Sequence, residues 1–180
     1  MRRVVCAAAL ALTVLAAPGL PTALAESDIQ LSGGALLFGK YKNEFWAALE
    51  ERPLYDALIQ RLPANVPEVV AAWWLTAEVE NGGFNQYFDN SYGAMIDEAI
   101  RGLEMTGQAK FAAAARLAKD EFGGGVPFDR EERMSAVEAI CDKNAQCWSA
   151  ADTLYSSVTG EEWANYRNQA DEFAEALLSK

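Results

Sequence analysis

The sequence predicts an all-α protein that folds as a single compact domain of about seven to eight helices. Two observations support this prediction. Apolar residues recur at spacings of three and four along most of the chain, and runs in which β-branched residues alternate with polar ones are nearly absent. With 180 residues, 51% of them hydrophobic, the chain can bury one core, whereas two domains would be cramped. Helices packed on helices are therefore expected.

Proline and glycine mark where the predicted helices begin and end. Pro53 interrupts a first helical stretch over residues 41–62, and Pro67 suits the first turn of the next helix. Gly82-Gly83 is expected to end that helix, because glycine tolerates the left-handed conformation found at helix ends. The three glycines at 123–125 predict the end of a further helix. Short turns therefore join the helices, without a linker that would divide domains.

Sequence patterns that favour the start of a helix occur at Asp129 and at Thr159. Asp129 with Glu132, and Thr159 with Glu162, have the spacing of a capping box, in which each side chain accepts a hydrogen bond from the other residue's backbone N–H. Apolar stripes at helical spacing should line the core. Their members are Val70, Trp73, Trp74, Ala77, Ile96, Ala99, Ile100, Leu103, Phe111, Ala115, Ala118, Phe122, Met134, Val137, Cys141, Trp163, Tyr166, Ala170, Phe173 and Leu177.

The first 25 residues have the layout of a secretory signal peptide. Arg2-Arg3 precedes an apolar run, Val4 to Ala17, and Ala23-Leu24-Ala25 matches a cleavage site. The run is shorter than the roughly 20 residues of a membrane-spanning helix. We expect cleavage after Ala25 and a periplasmic or secreted protein that is not attached to a membrane once the signal is removed. An uncleaved anchor and a cytoplasmic protein are the alternatives. We expect residues 26–40 to be flexible and residues 41–180 to form the helical domain.

Composition excludes several classes of activity. The chain has no histidine, which rules out Ser-His-Asp and Cys-His catalysis and histidine-ligated zinc. There are 26 acidic and 15 basic residues, a formal charge of −11. Loss of Arg2 and Arg3 with the signal would leave 13 basic residues and a charge of −13. Such a chain is repelled by phosphate backbones, so direct nucleic-acid binding is disfavoured and a basic protein is the expected kind of partner.

Two cysteines remain after the predicted cleavage, Cys141 and Cys147. An even pair in an oxidising compartment usually forms a disulfide, and we expect one here. Two buried thiols that lie near one another by chance are the alternative. Metal binding by two cysteines alone is improbable, so we expect neither a metal site nor a cofactor.

One segment has an unusual composition. Residues 78–91 fit the pattern E-x-x-N-G-G-F-x-Q-[FY]-[FY]-x-N-S, and residues 127–133 fit P-x-D-R-x-x-R. Both resemble segments of the bacterial DNA-mimic protein family. The resemblance implies an all-helical domain. The namesake of that family imitates the charges of duplex DNA and binds a transcription factor as an acidic dimer, so a homodimer is one assembly to expect. A signal peptide departs from this picture, because an exported protein does not meet cytoplasmic transcription factors.

Two interpretations of the first motif stay open. In one, backbone N–H groups at the Gly82-Gly83 break bind an anion beside a polar cluster of amide and hydroxyl side chains. In the other, which we favour, these side chains cap helices and satisfy buried backbone groups, since no credible nucleophile lies nearby. The candidate binding residues are Asn81, Gly82, Gly83, Phe84, Gln86, Tyr87, Asn90 and Ser91. A carboxylate site at Glu78, Glu80 and Asp89 is a weaker candidate, because residues two apart do not share a helix face.

The acidic surplus suggests a function. Carboxylates fall opposite the apolar stripes, where helix periodicity points to solvent. The predicted acidic surface comprises Asp97, Glu98, Glu104, Glu131, Glu132, Glu138, Asp171, Glu172 and Glu175. We expect a noncatalytic, exported binding protein that holds a basic partner; the charge could equally serve solubility. A cytoplasmic DNA mimic that sequesters a DNA-binding protein, and an enzyme with a carboxylate or amide site at residues 78–91, are the alternatives.

Overall fold

A computed structural model of the chain describes residues 33–180. Within this range it contains eight α-helices and one 3-10 helix, and no β-strand. The predicted all-α class and the predicted number of helices are therefore confirmed. The elements are α1 (Gly33–Ala48), α2 (Arg52–Arg61), α3 (Val66–Asp89), the 3-10 helix (Ser91–Met95), α4 (Ile96–Met105), α5 (Ala109–Asp120), α6 (Arg130–Lys143), α7 (Ser149–Ser156) and α8 (Gly160–Leu178).

Helix α3 is the central helix of the domain. It packs against α1, α4, α6, α7 and α8. A helix surrounded in this way must be apolar on more than one face, which explains the nearly continuous apolar run over residues 69–75. Leu75, Phe84 and Phe88 of α3 are fully buried, each 0% exposed. The core of the domain is therefore built around this helix.

The helix starts that were predicted from the sequence occur where expected. Pro53 and Pro67 lie in the first turns of α2 and α3, where a missing N–H costs nothing. Asp129 accepts a hydrogen bond from the Glu132 N–H at 2.9 Å and thereby caps α6. At α8, Thr159 and Glu162 form the complete reciprocal capping box. These starts are decided by residues within one turn of each other.

The N-terminal boundary differs from the prediction. Helix α1 begins at Gly33, eight residues before the expected start at Tyr41, so residues 33–40 are helical. Gly33 and Gly34 are buried against α8: a Cβ on Gly33 would lie 2.5 Å from the Asp171 carbonyl oxygen, and the Gly34 N–H donates to the Asp171 carboxylate at 2.9 Å. The missing side chains allow this close approach. The predicted signal peptide, its cleavage position and residues 26–32 lie outside the described residues.

A disulfide closes the corner between α6 and α7. Cys141 and Cys147 have their sulfurs at bonding distance, with Cα atoms 5.1 Å apart, a separation typical of such bridges. Trp148 follows immediately, is 0% exposed and donates its indole N–H to the Ala118 carbonyl oxygen at 3.0 Å. The disulfide therefore lies next to the large, buried side chain of Trp148.

In the part of the chain that the structure describes, no helix is both long and apolar enough to cross a membrane.

Candidate functional site

The first motif is a break inside α3. Gly82 (φ −160°, ψ 22°) and Gly83 (φ 73°, ψ −174°) leave the helical conformation, and the helix resumes at Phe84. The Phe84 N–H donates to the Asp152 carboxylate of α7 at 2.9 Å. A carboxylate at a helix start satisfies an N–H without an intrahelical partner and suits the positive end of the helix dipole. The position that an anion would take in the less favoured interpretation is thus occupied by the protein's own Asp152.

Glu78 holds the two halves of α3 together across this break. Its carboxylate accepts hydrogen bonds from the side-chain amides of Gln86 at 2.8 Å and Asn90 at 2.7 Å. Both bonds end on the same oxygen, Oε2. Glu78 is half-buried, and a carboxylate in such a place requires partners of this kind. Three of the motif's polar residues therefore bind one another.

Arg133 of α6 connects the second motif to the end of the first. Its side chain is 0% exposed and donates to the carbonyl oxygens of Phe88 at 2.9 Å and Asn90 at 2.8 Å. It also donates to the carbonyl oxygens of Pro127 at 2.9 Å and Phe128 at 2.7 Å. The C-terminal carbonyls of a helix lack intrahelical partners and carry partial negative charge, so a buried guanidinium is well matched to them.

Burial lowers the pKa of Arg133, because desolvation disfavours its charged form, while the nearby Tyr87, Asp129 and Asp89 act in the opposite direction. An arginine starts from so high a pKa that it stays charged. Gly93 leaves the space that the guanidinium occupies, since a Cβ there would lie 2.9 Å from Arg133 Nε. The sequence pattern did not predict that Arg133 or Asp152 would contact the first motif. For Arg133, the available signal was its position in the second motif, three residues after Arg130.

The predicted binding residues of the first motif are brought together only in part. Gln86 and Asn90 meet on Glu78, and Phe84 and Tyr87 are 0% exposed. The Ser91 carbonyl oxygen accepts from Arg133 at 3.3 Å. Among the described residues, the side chains of Asn81 and Ser91 make no hydrogen bond with protein groups. The arrangement agrees with the interpretation in which the motif supports the backbone.

The predicted acidic surface divides into three groups. On α4 the carboxylates are paired: Asp97 with Lys119 at 2.5 Å, Glu98 with Arg101 at 2.9 Å, and Glu104 with Arg116. Glu98 has only 14% of its side chain exposed, and Asp171 is half-buried beneath Gly34. Those two therefore do not belong to the exposed surface: Glu98 pairs with Arg101 of its own helix, and Asp171 lies against Gly34 of α1. The free, exposed members are Glu131, Glu132, Glu138, Glu172 and Glu175.

The free carboxylates of α6 border a shallow groove. This acidic groove lies between the second half of α3 and α6, and its walls include Asp89, Glu131, Met134 and Glu138. Glu131 and Glu138 are seven residues apart, two helical turns or about 10 Å along one face. Among residues 33–180, none of its three carboxylates takes part in an ion pair. Their negative charge is therefore available to an outside group.

The carboxylates proposed as a cation or acid-base site do not converge. Glu78 binds two amides, Asp89 accepts from Asn85 at 3.3 Å, and Glu80 lines a cleft on another face of α3. In the described part of the chain, no group of three or more Cys, Asp or Glu side chains is placed to hold a metal ion.

The fold and these two linked motifs define an acidic all-α domain organised around a broken central helix. The family model described as DMP19-like protein matches residues 60–177, and the chain belongs to that family, which is of the DNA-mimic type. The match covers most of the chain and includes both motifs. No curated protein and no solved structure matched the chain in the same comparisons.

Proposed function

We propose that the mature protein is an exported, noncatalytic binding protein whose acidic groove holds a basic segment of a partner protein. The observation that carries the proposal is the set of unpaired carboxylates along the groove, Asp89, Glu131 and Glu138. Elsewhere, several exposed carboxylates are matched by neighbouring cations. Charges left unmatched at one place produce a local potential that attracts a cationic partner and orients it.

The groove also offers an apolar contact between its charges. Met134 lies between Glu131 and Glu138 on α6 and is 40% exposed. A thioether side chain adapts its shape to different partners, so it suits a binding surface. A segment with cations about 10 Å apart and an apolar side chain between them would match this face.

A noncatalytic role is supported by what the motif residues already do. The Glu78 carboxylate is occupied by two amides, and Arg133 by carbonyl oxygens. A general base or a nucleophile needs a free atom within reach of a substrate. Neither of these charged residues lines the acidic groove.

Export distinguishes this proposal from cytoplasmic DNA mimicry. Membership of a DNA-mimic-type family supports an acidic surface that substitutes for phosphates, and the N-terminal layout of residues 1–25 supports a partner outside the cytoplasm. Fractionation of the producing cells decides between the two. Recovery of the protein solely in the cytoplasm, with Met1 retained, would favour a DNA-binding protein as the partner.

The test is capture of a partner from an envelope extract, with the protein and two variants immobilised in parallel. The groove variant carries Glu131→Lys and Glu138→Lys. The control carries the same change of charge at Glu50 and Glu172, which are exposed and outside the groove. The proposal expects a partner retained by wild type and control, lost from the groove variant, and eluted as salt shortens the Debye length below about 10 Å. Equal retention by all three proteins, or retention that ignores salt, would contradict it.

A further inference from the structure

A cleft lies between α3 and α8, on a different face of α3 from the acidic groove. Its volume is about 260 Å³, slightly below the roughly 300–1,000 Å³ typical of drug-sized ligand pockets. Ala72 and Ala77 of α3 and Ala170 of α8 line it, and their small side chains leave the two helices apart at this place. Trp73 and Trp163 form large apolar walls. The cleft is therefore sized for one small molecule with an apolar part.

Two side chains of opposite charge line this cleft. Glu80 on α3 and Arg167 on α8 both line it. They are near enough for Arg167 to lower the pKa of Glu80, although desolvation at the cleft outweighs this and raises it. No ion pair joins them among the described residues, and Glu80 makes no hydrogen bond there. A carboxylate and a guanidinium thus face the same space without neutralising each other directly.

A buried amide adds a polar group beside them. Gln108, in the turn between α4 and α5, is 4% exposed and lines the cleft. Its side-chain N–H donates to the Thr106 hydroxyl at 2.6 Å, and Thr106 donates in turn to the Gly102 carbonyl oxygen at 2.7 Å. Among the described residues, no donor reaches the Gln108 side-chain oxygen. This oxygen is not among the fully buried unpaired atoms of the described residues, so an acceptor that lines the cleft is open to a ligand's N–H group.

We propose that this cleft binds a free α-amino acid with an aromatic or branched aliphatic side chain. Its ammonium group pairs with Glu80, its carboxylate pairs with Arg167, and its side chain lies between Trp73 and the alanines. An α-amino acid carries an ammonium and a carboxylate group attached to one carbon, which matches two interacting, opposite charges in the lining of one cleft. A nucleotide is disfavoured, because Glu80 and Asp171 would repel its phosphates. This site is independent of the acidic groove.

The test begins with three probes that differ by one charge. Titration calorimetry of the purified protein with L-phenylalanine should give saturable binding at one site. L-phenylalaninamide, which lacks the carboxylate, and N-acetyl-L-phenylalanine, which lacks the ammonium group, should each bind at least tenfold more weakly. L-leucine and L-tryptophan extend the series to other side chains. Absence of saturable binding by all three amino acids would overturn the proposal.

Variants then assign the binding to the cleft. Glu80→Gln and Arg167→Gln should each weaken L-phenylalanine at least tenfold, and Ala170→Leu, which fills the cleft, should abolish binding. Glu172→Gln, an exposed carboxylate of α8 outside the cleft, is the matched control and should bind as wild type does. Melting temperatures establish that each variant is folded. Binding that survives both Glu80→Gln and Arg167→Gln, or that the control weakens equally, would overturn the proposal.

Discussion

Arg133 Nη2 lies 2.8 Å from the carbonyl oxygen of Asn90. This contact joins two motifs that are 43 residues apart in sequence at the end of the central helix. Together with the hydrogen bonds of Gln86 and Asn90 to the Glu78 carboxylate, it holds the broken helix in place. The surfaces that we propose for binding are the acidic groove and the cleft between α3 and α8.

Replacing Arg133 should destabilise the protein strongly. Arg133→Met removes the guanidinium donor from the carbonyl oxygens of Phe88, Asn90 and Phe128, so we expect a loss of about 3–5 kcal/mol in the free energy of unfolding. Urea denaturation measures this loss. Arg130→Ala is the control: it removes one exposed hydrogen bond to the Asp89 carbonyl oxygen and should cost less than about 1 kcal/mol. Similar losses for the two variants would contradict the structural role of Arg133.

The two glycines of the break should respond to substitution for different reasons. Gly83 has a positive φ of 73°, so Gly83→Val should cost at least about 1 kcal/mol through backbone strain. Gly82 has an extended φ that any residue adopts, but a Cβ there would meet the Gln86 side chain, with its Cδ 2.9 Å away. Gly82→Ala should therefore displace Gln86 from Glu78.

Gly124 provides the control for both glycines. A Cβ at Gly124 would have no atom within 4 Å, so Gly124→Ala should change the melting temperature little. An unchanged melting temperature in Gly83→Val would show that the break does not require a left-handed residue.

The Cys141–Cys147 bridge should be present in the protein isolated from cells. Thiol labelling under denaturing, non-reducing conditions should find neither of these cysteines free. Because the bridge closes a loop of few residues, its reduction should cost only about 2–3 kcal/mol. Two reactive thiols in the exported protein would refute the bridge.

Buried tyrosines should make the protein sensitive to alkaline pH. Burial raises the pKa of Tyr55, Tyr87 and Tyr155 above the ordinary value of 10.0. Above pH 10 the unfolded chain releases these protons while the folded protein keeps them, so stability present below pH 10 is lost as the pH rises. Each tyrosine should lower the stability by an amount that grows towards about 1.4 kcal/mol per pH unit as the pH rises well above 10, and urea denaturation between pH 9 and 11 measures this increase in slope.

Tyr87→Phe isolates one of these contributions. The Tyr87 hydroxyl is buried without a hydrogen-bond partner among the described residues, so its removal should be nearly neutral at pH 7. The same change should reduce the loss of unfolding free energy per pH unit above pH 10 by about the contribution of one tyrosine. A slope equal to that of the wild-type protein would mean that Tyr87 ionises normally.

Export predicts a defined N-terminus. Cleavage after Ala25 removes the basic and apolar start, so mass spectrometry of the envelope or secreted form should find Glu26 first. Ala25→Arg blocks the small-residue site and should yield an uncleaved precursor. An abundant wild-type species that keeps Met1 would refute the signal and return attention to the cytoplasmic alternative.

The amino-acid sequence by itself determined the features that depend on neighbours along the chain. Helical periodicity, the capping box at Thr159 and Glu162, and the break at Gly82 and Gly83 all involve residues within about one turn of each other. The disulfide likewise joins cysteines six residues apart. Such local interactions are readable from spacing, because the helix itself fixes where each side chain points.

Only the tertiary structure decided which helix faces meet. Helix α1 begins at Gly33, which lies closely against Asp171 of α8. The Glu98 side chain is only 14% exposed and pairs with Arg101, so it does not belong to the expected acidic surface, and Arg133 donates to carbonyl oxygens at the end of α3. The cleft exists because small side chains of α3 and α8 face each other. Contacts of this kind depend on how helices dock, and helix periodicity states only that a face is apolar, not which partner will cover it.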